Sequence, residues 1–376
     1  VVLDEFHERH LEADLALALL RRLQQTRRAD LRLLVMSATL DGDAVARHLD
    51  GCPVVRSEGR LFETELRYTP ASALPLEELV EQALTRLVRE GLPGDVLVFL
   101  PGAREIRRAM DRAARLLEVN GILALPLYGD LTPEEQDRAV QPAAQRKVIF
   151  STNVAESSVT IDGVRVVIDS GLARVAEDSP WTGLPMLNIK RISQASAQQR
   201  AGRAARQGPG IVVRLYGQED FARRPAQDKP EILRRELSQL LLDIRTLGVA
   251  DPRTLPWLDP PPAEALAAAA ALLDQLGAAG EVARRMATLP LHPRLARLVL
   301  EADRRGARRE ACRLTAQLSG GDERVARQVD RLLGRSRVEQ PDEHGYEKSV
   351  LIAFPDRVAK HRRDQEVLLG GGGSAI

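Results

Sequence analysis

Through residues 1–217, short, largely apolar β-branched runs alternate with stretches of helical periodicity. A strand buried on one face alternates apolar and polar residues, whereas one buried on both faces reads apolar throughout. The runs VVL at 1–3, LRLLVMSAT at 31–39, VLVFL at 96–100, KVIFS at 147–151, RVVIDS at 165–170 and GIVVRLY at 210–216 are of the second kind. Leu11, Leu15, Leu19 and Leu23 recur at i+4 and mark one helix face; further helices are expected near 75–90 and 103–119. The pattern predicts an α/β chain with parallel sheets covered by helices on both faces. SEGRLFETEL at 57–66 reads as a hinge. The rhythm restarts after it, which predicts two such units, the first missing its front half.

After about residue 218 the strands fade. EILRRELSQLLLDIRTLG places Ile232, Leu233, Leu237, Leu240, Leu241, Ile244 and Leu247 at helical spacing. DPPP at 259–262 opens a helix that ends at Gly277, and LPLHPRLARLVLEA and RREACRLTAQLSG continue the helical pattern. The tail 340–376 is mixed and ends in GGGGSAI, with no final element to close a domain. No repeat of solenoid period occurs.

At 376 residues the chain is too long for one ordinary core and suits two to four domains. With 44% hydrophobic and 28% charged residues it is globular rather than disordered. Lys and Arg total 54 against 53 Asp and Glu, a net charge of +1, so any nucleic-acid surface must be local. Cys52 and Cys312, far apart, make neither a disulfide framework nor a zinc site, and suit a reducing compartment. No apolar run approaches the ~20 residues of a membrane span, and no signal peptide opens the chain. A cytoplasmic protein is expected. Residue 1 is Val inside an apolar run, which reads as a piece of something longer.

Four segments carry chemistry. VVLDEFHER, residues 1–9, places Asp4 and Glu5 just past a buried strand, where open α/β sheets bind ligands. An Asp there can hold Mg²⁺ and the adjacent Glu can deprotonate an attacking water; His7 stands where it can report that state to a neighbour. The zinc-protease pattern HExxH fails, because position 11 is Leu11. Ser37-Ala38-Thr39 leaves the next strand and, on its own, is a helix cap. STNVAESSVTIDG at 151–163 gathers hydroxyl and amide groups suited to phosphate and sugar contact. QASAQQRAGRAAR at 194–206 sets Arg200, Arg203 and Arg206 three apart on a helix. Arg203 and Arg206 can reach a transferring phosphoryl group and Gln199 can position water, while the small Ala201, Gly202, Ala204 and Ala205 permit close packing.

In this order and spacing the segments resemble the signatures of superfamily 2 helicases of the DEAH/RHA type. DEFHER is similar to motif II, SAT to motif III, LVFLPGAREI at 97–106 to motif IV, STNVAESSVTIDG to motif V and QRAGRAAR to motif VI. DEFHER in place of DEAHER, with SQASAQQRAGR, LDPPPAEAL, LPLHPRLARLVL and GYEKSVLIAFPDRVA, narrows the resemblance to the bacterial HrpB branch. It implies tandem RecA-like parallel-sheet domains, with 1–62 the back half of the first and 63–217 the second. A winged helix would follow at 218–256, a helical ratchet-like bundle at 257–338 and a shortened C-terminal region at 339–376.

The resemblance also implies ATP hydrolysis with Mg²⁺, coupled to movement along RNA, with DNA not excluded. Asp4 would face Mg²⁺ and Glu5 would be the catalytic base. His7, Ser37 and Thr39 would couple the nucleotide site to the nucleic-acid path. Gln199, Arg203 and Arg206 would face the γ-phosphate, Thr152 and Asn153 the RNA backbone, and Asp162 the nucleotide sugar. Two departures stand out. Ala205 replaces the usual Gly, and no GxxxxGK[ST] phosphate loop occurs in the 376 residues. The expectation is therefore that these residues alone are inactive. A shortened protein that binds nucleic acid or a partner without hydrolysis is the alternative; Glu5, Arg203 and Arg206 favour the enzyme, since a binding module has no chemical need of them.

Overall fold

The computed structural model describes residues 1–38, 42–57, 62–156, 159–179, 183–336, 338, 342–363, 366–369 and 374–375. They fall into two compact units: Val1–Cys52 with Ala176–Met186 and Lys229–Ile376, and Pro53–Val175 with Leu187–Asp228.

The first unit begins with β1 (Val2–Leu3), α1 (Leu11–Thr26), β2 (Leu34–Val35) and α2 (Gly42–His48). Strands β1 and β2 pair in parallel, Val2 opposite Leu34 and Leu3 opposite Val35. The nine-residue run at 31–39 thus yields only two paired residues; Leu34 is 54% exposed, and Thr39 lies outside the described residues. Helix α1 buries two faces. Leu17 packs with Phe6 and Val45, while Ala18, with Leu11, Leu15 and Leu19, packs on the helical core described below. Leu23, expected on the same face, is 37% exposed.

The second unit is built on β3 (Thr64–Tyr68), α3 (Leu76–Glu90), β4 (Asp95–Phe99), α4 (Ala103–Val119), β5 (Leu123–Leu127), α5 (Pro133–Val140), β6 (Lys147–Ser151) and β7 (Val164–Asp169). Next come β8 (Leu172–Asp178) and β9 (Pro185–Arg191), which pair with each other, then α6 (Gln194–Gly202), β10 (Gly210–Arg214) and α7 (Gln218–Ala222). Six strands form one sheet in the order β3-β10-β7-β4-β6-β5, every pair parallel. Successive side chains of β4 point to opposite faces. Val96 and Val98 pack with Val80 and Leu84 of α3 and Ile106 and Ala109 of α4. Leu97 and Phe99 pack with Ala139 of α5 and Ala204 just after α6. All four strand residues are at most 1% exposed, as double-sided cover requires. The hinge expected at 57–66 is corrected in part: from Thr64 the chain is a strand, and its polar sequence reflects an edge position with Glu65 and Leu66 exposed.

The rest is mainly helical: α8 (Ser238–Thr246), α9 (Ala263–Gln275), α10 (Gly280–Ala287), α11 (Pro293–Arg305), α12 (Arg308–Leu318), α13 (Glu323–Leu332) and α14 (Gly345–Ala353). Their common core includes Leu240, Leu273, Met286, Leu298 and Val299, with Leu184 from between β8 and β9. The tail is not without elements: β11 (Ala359–Arg363), β12 (Glu366–Leu369) and β13 (Ser374–Ala375) form an antiparallel sheet. Among the described residues no single helix is long and apolar enough to cross a membrane.

Candidate active-site segments

In the first unit the acidic segment leaves β1 into a tight turn. The Met36 amide donates to the Leu3 carbonyl (2.8 Å) and the Phe6 amide to the Met36 carbonyl (3.0 Å), so the turn is stitched to the chain leaving β2. Asp4 is exposed; its Oδ1 accepts the Glu5 amide at 2.8 Å. Glu5 takes left-handed backbone, φ 49° and ψ 33°, which only a few per cent of non-glycine residues adopt. Its side chain is 39% exposed and its Oε2 lies 3.5 Å from His7 Nδ1. The same His7 nitrogen lies 3.5 Å from the Ala38 amide, which brings DEFHER and SAT together. Ser37 is next to that contact. Phe6, fully buried, anchors the turn.

In the second unit the segment leaving β6 and helix α6 are joined by arginines. Arg200 is completely buried. It donates to Glu156 Oε2 (2.8 Å), to Asp169 Oδ1 (2.9 Å) and to the Leu172 carbonyl (3.1 Å), and stacks 4.8 Å from the Phe99 ring. Ser196 Oγ donates to the other Glu156 oxygen at 2.5 Å, and the Tyr216 hydroxyl to Asp169 Oδ2 at 2.8 Å. Two carboxylates beside Arg200 hold its guanidinium charged against the burial that opposes it. Asp169 and the Arg214 environment push the buried Tyr216 hydroxyl in opposite directions, and burial, with the Asp169 charge, raises it well above its ordinary value.

Arg203 is 6% exposed and gives its Nε to the Glu156 carbonyl (2.9 Å) and its Nη1 to the Val159 carbonyl (2.5 Å). Arg206 is exposed and reaches Thr160 Oγ1 at 3.1 Å. Asp162 accepts from Gln207 Nε2 at 2.7 Å. Thr152 donates its amide to the Leu127 carbonyl (3.1 Å), and Asn153, exposed, opens the short turn Asn153–Ala155. Gln199 lies on α6 one residue before Arg200. Ala205 is 1% exposed, and its carbonyl accepts the Phe62 amide.

Glu156 and Asp169 hold Arg200, and Tyr216 holds Asp169; none of the three is singled out by a recognisable pattern of functional residues in the sequence. The one local signal was a carboxylate ending the apolar run RVVIDS. Among the described residues no cluster of three His, Cys, Asp or Glu is placed to hold a metal. The exposed Asp4 nevertheless fits Mg²⁺, which dehydrates reluctantly and takes one or two carboxylates plus nucleotide phosphates and water.

Residues 79–208 match the model of the helicase conserved C-terminal domain. The whole chain aligns at 41% identity with the ATP-dependent RNA helicase HrpB of Escherichia coli, covering 49% of that protein. Against the ATP-dependent RNA helicase HrpA of the same organism, 86% of the chain aligns at 38% identity and covers 26% of the relative. The crystal structure of Escherichia coli DEAH/RHA helicase HrpB superposes with a TM-score of 0.86 at 40% identity, over all of this chain and 51% of that one. The chain thus spans about half the length of HrpB, or less of the other relatives. Its parallel six-stranded sheet is the RecA-like α/β fold, followed by a helical C-terminal part. Over its whole length the chain is thus similar to a DEAH/RHA helicase in both sequence and fold.

Proposed function

We propose that this chain is part of an ATP-dependent RNA helicase and carries its water-activating carboxylate, its phosphate-facing arginines and part of its RNA path. The observation that carries the reading is the strand-exit position of the acidic and motif V segments, within a chain 41% identical throughout to an ATP-dependent RNA helicase. In this reading 1–62 is the back half of the first RecA-like domain and 63–217 the second. Residues 218–256 are a winged helix, 257–338 a ratchet-like bundle and 339–376 the start of a C-terminal region.

Glu5 takes the proton of the attacking water, which its partly exposed carboxylate can meet from solvent. Asp4 holds Mg²⁺, which when bound with ATP neutralises charge on the phosphates. Gln199 orients the water. Arg203 and Arg206 stabilise the charge that spreads over the γ-phosphate in the transition state; Arg203 exchanges its bonds to the Glu156 and Val159 carbonyls for phosphate oxygens to do so. His7, Ser37 and Thr39 couple this chemistry to the nucleic acid, Thr152 and Asn153 contact its backbone, and Asp162 contacts the nucleotide sugar. Backbone contacts serve DNA as well, and only 2′-hydroxyl contacts select RNA.

The test compares the full-length protein, meaning this segment in its natural reading frame, with residues 1–376 alone. The full-length protein is expected to turn over ATP faster with RNA present than without it. Residues 1–376, which contain no GxxxxGK[ST], are expected to show no turnover, because positioning of the phosphates supplies most of the catalysis in phosphoryl transfer. RNA binding by the full-length protein with no ATP turnover under any condition would support the non-hydrolysing alternative instead.

A further inference from the structure

The turn that carries Glu5 is bent into left-handed backbone at both ends. Glu5 and Arg9, each at φ 49°, bracket the single 3-10 turn Phe6–Glu8. Such conformations outside glycine persist only where the surroundings over-determine them. Here much of that constraint comes from residues more than 200 positions away, in stretches whose role the motifs leave open.

Arg9 donates its Nε to Asp14 (2.9 Å) and its Nη2 to Asp259 (2.6 Å), and its guanidinium lies 5.5 Å from the Phe6 ring. Leu258, next to Asp259, packs on the cluster of Phe6, Leu17 and Val45. The Glu231 amide donates to the Arg9 carbonyl at 3.1 Å, and Glu231 Oε2 accepts the Leu11 amide at 3.1 Å. Glu231 Oε1 also lies 3.8 Å from His10 Nδ1, while His10 Nε2 meets Glu8 at 2.6 Å. Glu231 and Glu8 hold His10 up to about 10; burial opposes ionisation of Glu231, yet His10 and the Leu11 amide hold it down to about 2. The pair is charged on both sides at neutral pH. Backbone, side chain and apolar contacts thus converge from 231 and 258–259 on one strained turn.

We propose that Asp259 and Glu231 are positioning residues for Glu5: through Arg9 and His10 they fix the turn, and so the direction in which the Glu5 carboxylate meets water. Neither touches the reacting atoms. The proposal rests on Glu5 being the catalytic base and assigns LDPPPAEAL and the stretch around Glu231 a share in catalysis. A carboxylate held by a short strained turn shifts when one anchor is cut, and a 1 Å misplacement of a reacting group costs up to about 10²-fold in rate.

The experiment measures ATP kcat and KM, RNA affinity and melting temperature in full-length protein for Asp259→Ala, Asp259→Glu, Glu231→Gln and Arg9→Ala with Asp259→Ala. Asp259→Ala is expected to lower kcat about tenfold, with KM and RNA affinity within about twofold. Asp259→Glu is expected to recover most of the rate, since it can still reach Arg9. The double variant is expected to lose no more than Arg9→Ala alone, as for groups acting as a unit. Should Asp259→Ala unfold the protein, Glu231→Gln, close in volume, is expected to show the same split between kcat and KM. An unchanged kcat in folded Asp259→Ala and Glu231→Gln proteins would overturn the positioning role, as would equal losses in kcat and affinity. Failure of the function itself looks different: wild type without RNA-stimulated turnover, or Glu5→Gln with normal turnover, removes the catalytic base and the proposal with it.

Discussion

Arg200 is fully buried, yet faces carboxylates at 2.8 Å and 2.9 Å and the Phe99 ring on one side. A buried ion that keeps both partners is tolerable, whereas one stripped of a partner is strongly destabilising. His10 and Glu231 are a more exposed pair, and their titration gives a signed test of the first unit's stability. The raised His10 value means that its contribution is complete below its ordinary 6.5 and disappears as pH climbs through about 10. The lowered Glu231 value means that its contribution is complete above 4.5 and disappears as pH falls through about 2. The melting-temperature gap between wild type and His10→Gln should therefore be widest from about pH 4.5 to 6.5 and close near pH 10. A gap of constant size from pH 6 to 10 would show that the pair contributes nothing.

Elements with a strong apolar pattern were the ones legible in the sequence. Helix α4 runs over Ala103–Val119 and β6 over Lys147–Ser151, matching the expected spans: α4 repeats its buried residues Ile106, Ala109, Ala113 and Leu117 at helical spacing, and β6 is buried at every position. The two edge strands of the sheet were not legible. In β3, TELRY needs cover on one side only, and β5 contains Pro126, which an edge strand accepts because its missing N–H faces away from the ladder. The motif segments were legible because each is contiguous in sequence. The residues that brace them, Asp169, Tyr216, Glu231 and Asp259, are distant in sequence and became visible only as contacts. Packing at this scale also explains one glycine. A Cβ on Gly210 would sit 2.4 Å from the Ala204 carbonyl oxygen, where the chain leaving α6 crosses the start of β10. Gly210→Ala should cost about 1–3 kcal/mol in denaturant unfolding through overpacking. A variant as stable as wild type would mean that α6 and β10 are free to separate.

Over the whole molecule, a net charge of +1 conceals the arginines Arg200, Arg203 and Arg206, in α6 and just after it, and the carboxylates of the turn after β1. Those two segments belong to different compact units, and each is internally braced. The central claim is that Glu5 activates water in an RNA-stimulated ATPase, and Glu5→Gln in the full-length protein tests it most directly. The substitution keeps the shape of the side chain and removes its basicity, leaving Asp4 and the arginines intact. ATP turnover with saturating RNA should fall by the 10²–10⁴-fold typical of a lost general base, while Mg·ATP still binds with nearly wild-type affinity. Retention of more than about a tenth of the wild-type turnover would contradict the account, because a general base contributes at least about 10²-fold.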